Sequence, residues 1–208
     1  MSLFVKKDEK SGRNKWRIIG LIAIVLCVVV VAVAIAAVYY GVVAQKNLYM
    51  LNYREEISLF SEKYQVDPFI ISAMIYCEST FRSDAVSSVG AVGLMQIMPA
   101  TGEWLAGKLK IGDYSENMLL RPSINIEMGC YYMRFLLDRY DGDLVCAVAA
   151  YHSGQGTVDG WRSNPEISED GKTLHNIPEG ETRKYTTRVI NATEIYRKLY
   201  KDDFLTDG

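Results

Sequence analysis

The stretch that decides the fold is residues 67–81, Asp-Pro-Phe-Ile-Ile-Ser-Ala-Met-Ile-Tyr-Cys-Glu-Ser-Thr-Phe. Asp67 and Pro68 predict a helix start, because aspartate caps the free amide groups of a first turn and proline fits the first helical position. The next residues are apolar on nearly every side through Cys77, which is typical of a helix at the centre of a domain. Glu78 therefore ends a buried helix. Desolvation disfavours a charged carboxylate there, so we expect a carboxyl that holds its proton near neutral pH, as a general acid must.

Helical patterns also account for most of the chain that follows the N-terminal apolar segment. The spacing of apolar residues predicts helices over residues 48–65, 99–109, 123–140, 144–151 and 182–200, with loops at 82–98 and 160–180. No alternating strand pattern occurs outside the apolar segment. We therefore predict an all-α domain of about 160 residues, enough for one hydrophobic core.

The N-terminal segment has the pattern of a membrane anchor. Residues 18–44 contain no charged side chain, and about 20 apolar residues suffice to cross the hydrocarbon core as a helix. Residues 1–17 carry more basic than acidic side chains, so the positive-inside tendency predicts a cytoplasmic N-terminus and an exported remainder. A cleaved signal peptide is the alternative, since residues 32–37 offer small side chains to a peptidase. We favour a retained single-pass anchor, because the apolar stretch exceeds the roughly 7–15 residues of a signal peptide.

The exported part of the chain is acidic. From residue 46 onward it carries 17 basic and 23 acidic side chains, a net charge of −6. Because no basic stripe is present, nucleic-acid binding has no electrostatic support and is not expected. A polymer substrate would have to be held by shape and hydrogen bonds.

The cysteines and histidines do not have the spacing of a metal site. No Cys-x-x-Cys pair occurs, and His152 and His175 are the only histidines, so no zinc is expected. Cys77, Cys130 and Cys146 fall on apolar helical stretches, and we interpret them as buried free cysteines. A disulfide between Cys130 and Cys146 is the alternative in an exported protein.

A glycine-spaced loop is the second candidate functional feature. Residues 90–99 read Gly-Ala-Val-Gly-Leu-Met-Gln-Ile-Met-Pro, and Gly90 and Gly93 permit backbone conformations that let a ligand approach closely. Met95 and Gln96 add a soft apolar contact beside an amide group, a combination suited to sugars. The loop is therefore a candidate sugar-binding surface.

Glu78 has two competing interpretations. It forms an ordinary ion pair with Arg82, four residues further on, or it acts as a catalytic acid. A two-carboxylate glycosidase needs a second acidic group, and Asp84, the nearest in sequence, lies in a polar loop with nothing that marks it as a partner. A lone catalytic Glu78 would therefore need its substrate to supply the nucleophile.

Four blocks of this sequence resemble the signatures of the soluble lytic transglycosylase catalytic-domain family. They are Glu78-Ser79-x-Phe81, Gly90-x-x-Gly93-Leu94-Met95-Gln96-Ile97-Met98-Pro99-x-Thr101, Ala150-Tyr151-x-x-Gly154 and Glu181-Thr182-Arg183-x-Tyr185-x-x-x-Val189. The blocks occur in the family's order over residues 50–200. Four blocks at compatible spacing are far more specific than any single one.

The resemblance implies an all-α, lysozyme-like fold and an enzyme that cleaves the β-1,4 bond between N-acetylmuramic acid and N-acetylglucosamine in peptidoglycan, without a metal or other cofactor. In that family the motif glutamate, here Glu78, is the one catalytic carboxyl. It protonates the leaving oxygen and then deprotonates the muramoyl 6-hydroxyl, which closes a 1,6-anhydro ring. The substrate thereby supplies the nucleophile.

The resemblance also implies which residues contact the sugars. The expected substrate-binding residues are Ser79, Met95, Gln96, Tyr151, His152 and Tyr185, with the Tyr185 hydroxyl near Glu78. Packing alone offers a different role for Tyr151 and Tyr185 as core tyrosines. At position 152 the family usually has asparagine; histidine can replace an amide as donor or acceptor, but its charge varies with pH.

These expectations divide the chain into five segments: a cytoplasmic basic tail (1–17), a transmembrane helix (18–44), a short linker (45–49), a lytic transglycosylase domain (50–202) and a C-terminal tail (203–208). The expected partners are peptidoglycan glycan strands, the membrane and unidentified envelope assemblies.

Two alternative functions are compatible with the same fold. One is hydrolysis by a muramidase of the goose-type lysozyme kind, and the other is a non-catalytic module that binds peptidoglycan or acts as a scaffold in an envelope machine.

Overall fold

The computed structural model describes residues 3–204, with side chains from residue 14 onward. The α-helices in this range are α1 (Leu3–Leu48), α2 (Arg54–Tyr64), α3 (Pro68–Ser79), α4 (Pro99–Leu109), α5 (Pro122–Arg139), α6 (Leu144–Ser153), α7 (Gln155–Arg162) and α8 (Glu181–Leu199). Short 3-10 helices occupy Glu116–Leu120 and Lys201–Asp203. No β-strand occurs among the described residues, so the all-α prediction is confirmed. Part of each predicted tail, residues 1–2 and 205–208, lies outside them.

Helix α1 is long and apolar enough to cross a membrane, judged by its length and composition. Its described side chains are exposed, for example Ile35 at 65%, whereas a helix in a protein core would bury them. It forms a compact unit of its own, and the boundary with the second unit lies between Leu48 and Tyr49. The helix runs unbroken to Leu48, so every residue of the predicted linker 45–49 except the last, Tyr49, is helical.

Helix α3 lies at the centre of the second unit. Its residues Ile71, Met74 and Ile75 have no exposed surface, and burying each such side chain stabilises the fold by about 1.5–3 kcal/mol. The Asp67 carboxylate accepts a hydrogen bond from the Phe69 amide at 2.8 Å, as the N-cap prediction requires. Because nearly every face of α3 is apolar, it packs against both α2 and α8.

Helices α5 and α6 complete the core. Helix α5 packs against α2, α4 and α6, and α6 packs against α7 and α8. The predicted apolar face of α5 is buried, including Ile126 and Met133. Asp143 caps the start of helix α6; its carboxylate accepts a hydrogen bond from the Cys146 amide at 2.6 Å. Cys130 and Cys146 are buried and free, in agreement with their interpretation as buried free cysteines, whereas Cys77 is free but only partly buried.

Two predicted element boundaries are wrong. Helix α2 begins at Arg54 rather than at residue 48, because the preceding backbone is bound elsewhere: the Tyr200 and Tyr196 hydroxyls donate to the carbonyls of Tyr49 at 2.7 Å and Met50 at 2.8 Å. The predicted loop 160–180 starts inside helix α7. Since α7 is one of the shortest helices and buries a single apolar side chain, it leaves little periodic pattern in the sequence.

Candidate active site

Glu78 occupies the last turn of α3, next to the terminal residue Ser79. Its side chain is partly buried, and desolvation raises the pKa of the carboxyl to about 7, against the opposing effects of Tyr185 and Arg188. Arg82 does not form the alternative ion pair; its Nε donates to the Ser79 carbonyl at 3.2 Å. At neutral pH the Glu78 carboxyl therefore populates both its protonated and its ionised form, as a group that gives and takes a proton requires.

No carboxylate among residues 14–204 contributes to the raised pKa of Glu78. Asp84, the nearest acidic residue in the following loop, is exposed. The described residues also contain no cluster of three or more His, Cys, Asp or Glu side chains that would hold a metal ion. The arrangement around Glu78 thus offers one acidic group, flanked by a hydroxyl and a cation.

Tyr185 lies beside Glu78, and His152 lies beside Tyr185. Tyr185 is buried, and its hydroxyl has no partner with hydrogen-bond geometry among the described residues, although it lies close enough to Glu78 for each group to change the pKa of the other. His152 stacks on Tyr185 with ring centroids 4.7 Å apart, and its Nδ1 is 3.0 Å from the Thr182 hydroxyl. Burial and the charge of Arg188 lower the pKa of His152. The imidazole is therefore neutral at neutral pH and can act as a donor or an acceptor, as an amide would.

The glycine-spaced loop is held by Asn125, a buried residue of α5. Its Oδ1 accepts from the Met95 amide at 2.8 Å, and its Nδ2 donates to the carbonyls of Val92 at 3.0 Å and Leu119 at 2.8 Å. Gly93 has φ +79°, and a Cβ there would lie 2.3 Å from both Asn125 Nδ2 and the Leu119 oxygen. Only glycine allows this close approach of the loop to α5.

Ser79 and Met95 are buried in the attachment of this loop. Ser79 is 2% exposed, and its hydroxyl donates to the Leu94 carbonyl at 2.8 Å. The Met95 side chain is fully buried over Gly129, where a Cβ would lie 2.0 Å from its sulfur. Both were expected to line the sugar cleft, but neither is among the residues that line a cavity beside Glu78.

Gln96, Tyr151 and His152 come together around a cavity of about 200 Å³. Gln96 donates through Nε2 to the Gly93 carbonyl at 2.9 Å, which fixes its amide. The Tyr151 hydroxyl donates to the Met95 carbonyl at 2.9 Å, so its ring forms a fixed wall. Three predicted substrate-binding residues thus share one surface, and a fourth, Tyr185, touches it through His152.

The sequence matches a model of the transglycosylase SLT domain over residues 57–173, which is more than half of its 208 residues. The chain belongs to this family. The match covers the first three of the four sequence blocks, whereas the fourth block, residues 181–189, follows it in the chain.

Two relatives and one solved structure illustrate the similarity of this SLT domain to known proteins. It is 30% identical to the soluble lytic murein transglycosylase of Salmonella typhimurium over 76% of this chain and 25% of that protein. It is 30% identical to the membrane-bound lytic murein transglycosylase C of Edwardsiella ictaluri over 71% of this chain and 47% of that protein. An inactive mutant of the lytic transglycosylase Slt of Pseudomonas aeruginosa superposes with a TM-score of 0.66 at 30% identity, over 74% of this chain and 25% of the other.

These matches confirm the predicted family and lysozyme-like fold of the SLT domain. The chain spans about a quarter of the length of the Salmonella relative and about half that of the Edwardsiella relative.

Asn125 and Arg188 contribute to the site of this SLT domain and were not singled out from the sequence. Asn125 interrupts an apolar face of α5, and a polar residue there indicates a buried hydrogen-bond role. Arg188 lies one turn after Tyr185, at an unspecified position of the fourth block. Nothing in its own sequence context indicates that it approaches Glu78.

Proposed function

We propose that this SLT protein is a membrane-anchored lytic transglycosylase that cleaves the β-1,4 bond between N-acetylmuramic acid and N-acetylglucosamine in peptidoglycan. The observation that carries the proposal is Glu78, a partly buried carboxyl with its pKa raised to about 7 and no other carboxylate among the groups that shift it. Relatives named lytic murein transglycosylases support the same substrate.

In the proposed reaction, Glu78 acts first as an acid and then as a base. The protonated carboxyl gives its proton to the glycosidic oxygen as the bond between that oxygen and the muramoyl C1 breaks. The resulting carboxylate takes the proton of the muramoyl 6-hydroxyl, whose oxygen bonds to C1 and closes the 1,6-anhydro ring. The atoms balance without water, and Glu78 returns to its protonated form. A pKa near neutrality suits one carboxyl to both steps, and the internal nucleophile replaces the second carboxylate of other glycosidases.

The neighbouring residues take supporting roles in this reaction. The Tyr185 hydroxyl lies within interaction distance of Glu78 and is available to donate to the Glu78 carboxylate or to the substrate. Gln96, Tyr151 and His152 supply amide, aromatic and imidazole contacts to the sugars from their shared cavity. Ser79 and Met95, expected as sugar contacts, act in this proposal by fixing the loop that carries Gln96.

The proposal includes a topology. Residues 18–44 form a single-pass anchor in the cell membrane. Residues 1–17 lie in the cytoplasm, and residues 50–202 lie on the extracytoplasmic side of the membrane. Support comes from the exposed apolar surface of α1, from the basic residues that precede it, and from a relative named as membrane-bound. Peptidoglycan strands and the membrane are the partners, and nucleic acid is not.

Mass spectrometry of the muropeptides released from purified peptidoglycan by the full-length protein in detergent tests the reaction. We expect products that end in 1,6-anhydro-muramic acid, one water lighter than hydrolysed ends, and no products from Glu78→Gln. Reducing ends would instead establish a hydrolytic muramidase. Binding to peptidoglycan without release of products would establish a non-catalytic wall-binding module.

A further inference from the structure

The imidazole of His152 lies between the first turn of α8 and the cavity proposed for the sugars. Its Nδ1 is 3.0 Å from the Thr182 hydroxyl. The ring also lines the cavity of about 200 Å³ with Gln96 and Tyr151, whereas Thr182 is not among the lining residues. Nε2, the other ring nitrogen, makes no hydrogen bond within the described part of the chain. The imidazole thus connects a hydroxyl of α8 to the sugar cavity.

Helix α8 holds this ring from its face as well as from its edge. Tyr185, which is 3% exposed, stacks on it with ring centroids 4.7 Å apart and an angle of 29° between the planes. Thr182 and Tyr185 are three residues apart and therefore lie on the same side of the helix. Because the ring is held in place, the feature that remains variable is which of its two nitrogens carries the proton.

The position of that proton decides what the ring offers to a ligand. A neutral imidazole has one N–H donor and one nitrogen lone pair, and the hydroxyl of Thr182 can pair with Nδ1 in either form. If the hydroxyl donates to the Nδ1 lone pair, Nε2 carries the proton and presents a donor to the cavity. If Nδ1 donates to the hydroxyl, Nε2 presents an acceptor.

The start of α8 favours the first of these arrangements. The first amide groups of a helix have no partner within it, and they give this end a partial positive charge. Gly180, the N-cap residue of α8, has no side chain that could accept from them. A nitrogen lone pair directed at this end is stabilised, whereas an N–H group directed at it is repelled. Since Thr182 lies in this first turn, Nδ1 of His152 is expected to carry the lone pair.

The charged side chains near the ring do not reverse this preference. Besides burial, Arg188 and Glu181 act on the pKa of His152, Arg188 lowering it and Glu181 raising it. The Glu181 carboxylate would attract an N–H group, but it pairs with Lys184 at 2.8 Å and is exposed to solvent. Both features weaken its effect on the ring.

A donor at this point supplies what two other residues of the cavity lack. The Gln96 amide nitrogen donates to the carbonyls of Ala85 at 3.2 Å and Gly93 at 2.9 Å, so its oxygen is the part that remains available to a ligand. The Tyr151 hydroxyl likewise donates to a backbone carbonyl. Nε2–H of His152 is therefore available to an acceptor oxygen of a sugar, where Gln96 and Tyr151 are not.

Resting on the proposed function, we propose that Thr182 is a positioning residue for substrate binding. Its hydroxyl donates to Nδ1 of His152, and this hydrogen bond fixes the imidazole as a donor, through Nε2–H, to a carbonyl or hydroxyl oxygen of the glycan. Thr182 itself does not touch the substrate. It determines which kind of atom the ring can bind.

Nitrogen-15 NMR of the full-length Glu78→Gln protein in detergent, labelled at histidine, reports the protonated nitrogen directly. The chain has two histidines, so His175→Gln assigns the spectrum. At neutral pH we expect the proton on Nε2 of His152. Thr182→Val should move the two nitrogen shifts of His152 towards each other as the second tautomer becomes populated, and Thr182→Ser should keep the parent shifts. A proton on Nδ1 in the parent, or shifts that Thr182→Val leaves unchanged, would overturn the inference.

Calorimetry with peptidoglycan glycan oligosaccharides measures the consequence for binding. In the Glu78→Gln protein we expect Thr182→Val to weaken binding about fivefold, the range of one neutral hydrogen bond, and Thr182→Ser to leave it unchanged. When His152→Asn is also present, Thr182→Val should cost less than about twofold, because an amide keeps its N–H donors whatever its partner. Thr187→Val, at an exposed position of the same helix, is the matched control and should have no effect.

An equal loss with histidine and with asparagine at position 152 would mean that Thr182 only supports α8, and the inference would be wrong. The outcomes also separate this role from the proposed reaction. Binding that depends on Thr182, by a protein that forms no anhydro product, overturns the reaction alone. Anhydro product from the wild type with unchanged binding by Thr182→Val overturns the role of Thr182 alone, and absence of any glycan binding overturns both.

Discussion

The two sides of Glu78 are built in opposite ways. On the loop side, formed by residues 82–98 and α5, the buried polar groups have hydrogen-bond partners. Asn125 makes three hydrogen bonds, and the Ser79 hydroxyl holds the loop by donating to the Leu94 carbonyl. On the helix side, α8, the buried Tyr185 hydroxyl meets no group with full hydrogen-bond geometry among the described residues, and both Tyr185 and Arg188 act on the pKa of Glu78. Satisfied polar groups make a rigid support, and unsatisfied ones are free to bind a ligand. Changes on the loop side should therefore cost stability, and changes on the helix side should cost activity.

The largest loss of activity is expected when Glu78 itself is replaced. Glu78→Gln removes the proton donor and preserves the shape of the side chain, so turnover of peptidoglycan should fall at least about 1000-fold. Binding to peptidoglycan should persist. Asp84→Asn is the matched control and should keep its activity, because Asp84 is exposed and does not act on Glu78. An inactive Asp84→Asn protein that remains folded would mean that the site uses two carboxylates.

Gly93→Ala tests the rigidity of the loop side. Its new Cβ would collide with Asn125 Nδ2 and the Leu119 oxygen, so we expect a loss of about 3 kcal/mol in the free energy of unfolding. Gly90→Ala is the control, since Gly90 also has a positive φ but has no neighbour within 4 Å; it should cost about 1 kcal/mol. Chemical denaturation measures both. Equal losses would show that backbone conformation alone, and not the approach to Asn125, requires glycine.

The pH dependence of stability tests the environment of Glu78. Its pKa is raised in the folded protein from an ordinary value of 4.5 to about 7, so between these values the folded state binds more protons than the unfolded state. Stability should therefore fall as pH rises from 4.5 to 7. Compared with wild type, Glu78→Gln should be about 3 kcal/mol more stable at pH 8 and no different at pH 4. Denaturation at both values measures this, with Glu103→Gln as a surface control; a difference independent of pH would contradict it.

Two tyrosines of α8 allow a hydroxyl that donates to a backbone carbonyl to be compared with one that does not. The Tyr196 hydroxyl donates to the Met50 carbonyl at 2.8 Å, whereas the Tyr185 hydroxyl has no such partner. Tyr196→Phe should cost about 1 kcal/mol of stability and keep its activity. Tyr185→Phe should leave the melting temperature unchanged and lower turnover about tenfold. Calorimetry and muropeptide release measure the pair, and the reverse pattern would refute the assignment of free groups to function.

The smallest effect is expected for His152→Asn. Because the pKa of His152 is lowered, the ring is neutral at pH 7 and already resembles an amide in its hydrogen bonding. The variant should keep its activity near pH 7 or raise it about twofold, and should differ from wild type only in acid, where histidine gains a charge. A pH–rate profile of both proteins tests this. Complete loss of activity at pH 7 would mean that the imidazole has a specific role.

Local chemistry made several elements predictable from the sequence. Asp67 and Pro68 define the start of α3 because capping depends on adjacent residues, and α4 occupies the predicted residues 99–109. The position of Glu78 at the end of a buried helix likewise follows from an uninterrupted apolar run. These features depend on neighbours within one turn of the chain.

Features that depend on tertiary contacts were not predictable. Asn125 binds a loop some 30 residues earlier in the chain, and the approach of Arg188 to Glu78 arises from the packing of α8 on α3. The family resemblance named Ser79 and Met95 as cleft residues, but pattern alone does not distinguish a residue that lines a cleft from one that supports its wall. Burial in the folded chain is what separates the two.

The hydrogen bonds from Tyr196 and Tyr200 to residues 49 and 50 have a consequence for how this domain combines with other sequences. They join the first residues of the globular unit to the end of its last helix, and the ion pair between Arg54 and Asp203 at 3.1 Å closes the same junction. Entry and exit of the chain therefore share one location. A domain whose first and last residues lie together can be fused to an anchor, or inserted into a longer protein, at one place on its surface. Such a connection leaves the core of the domain undisturbed.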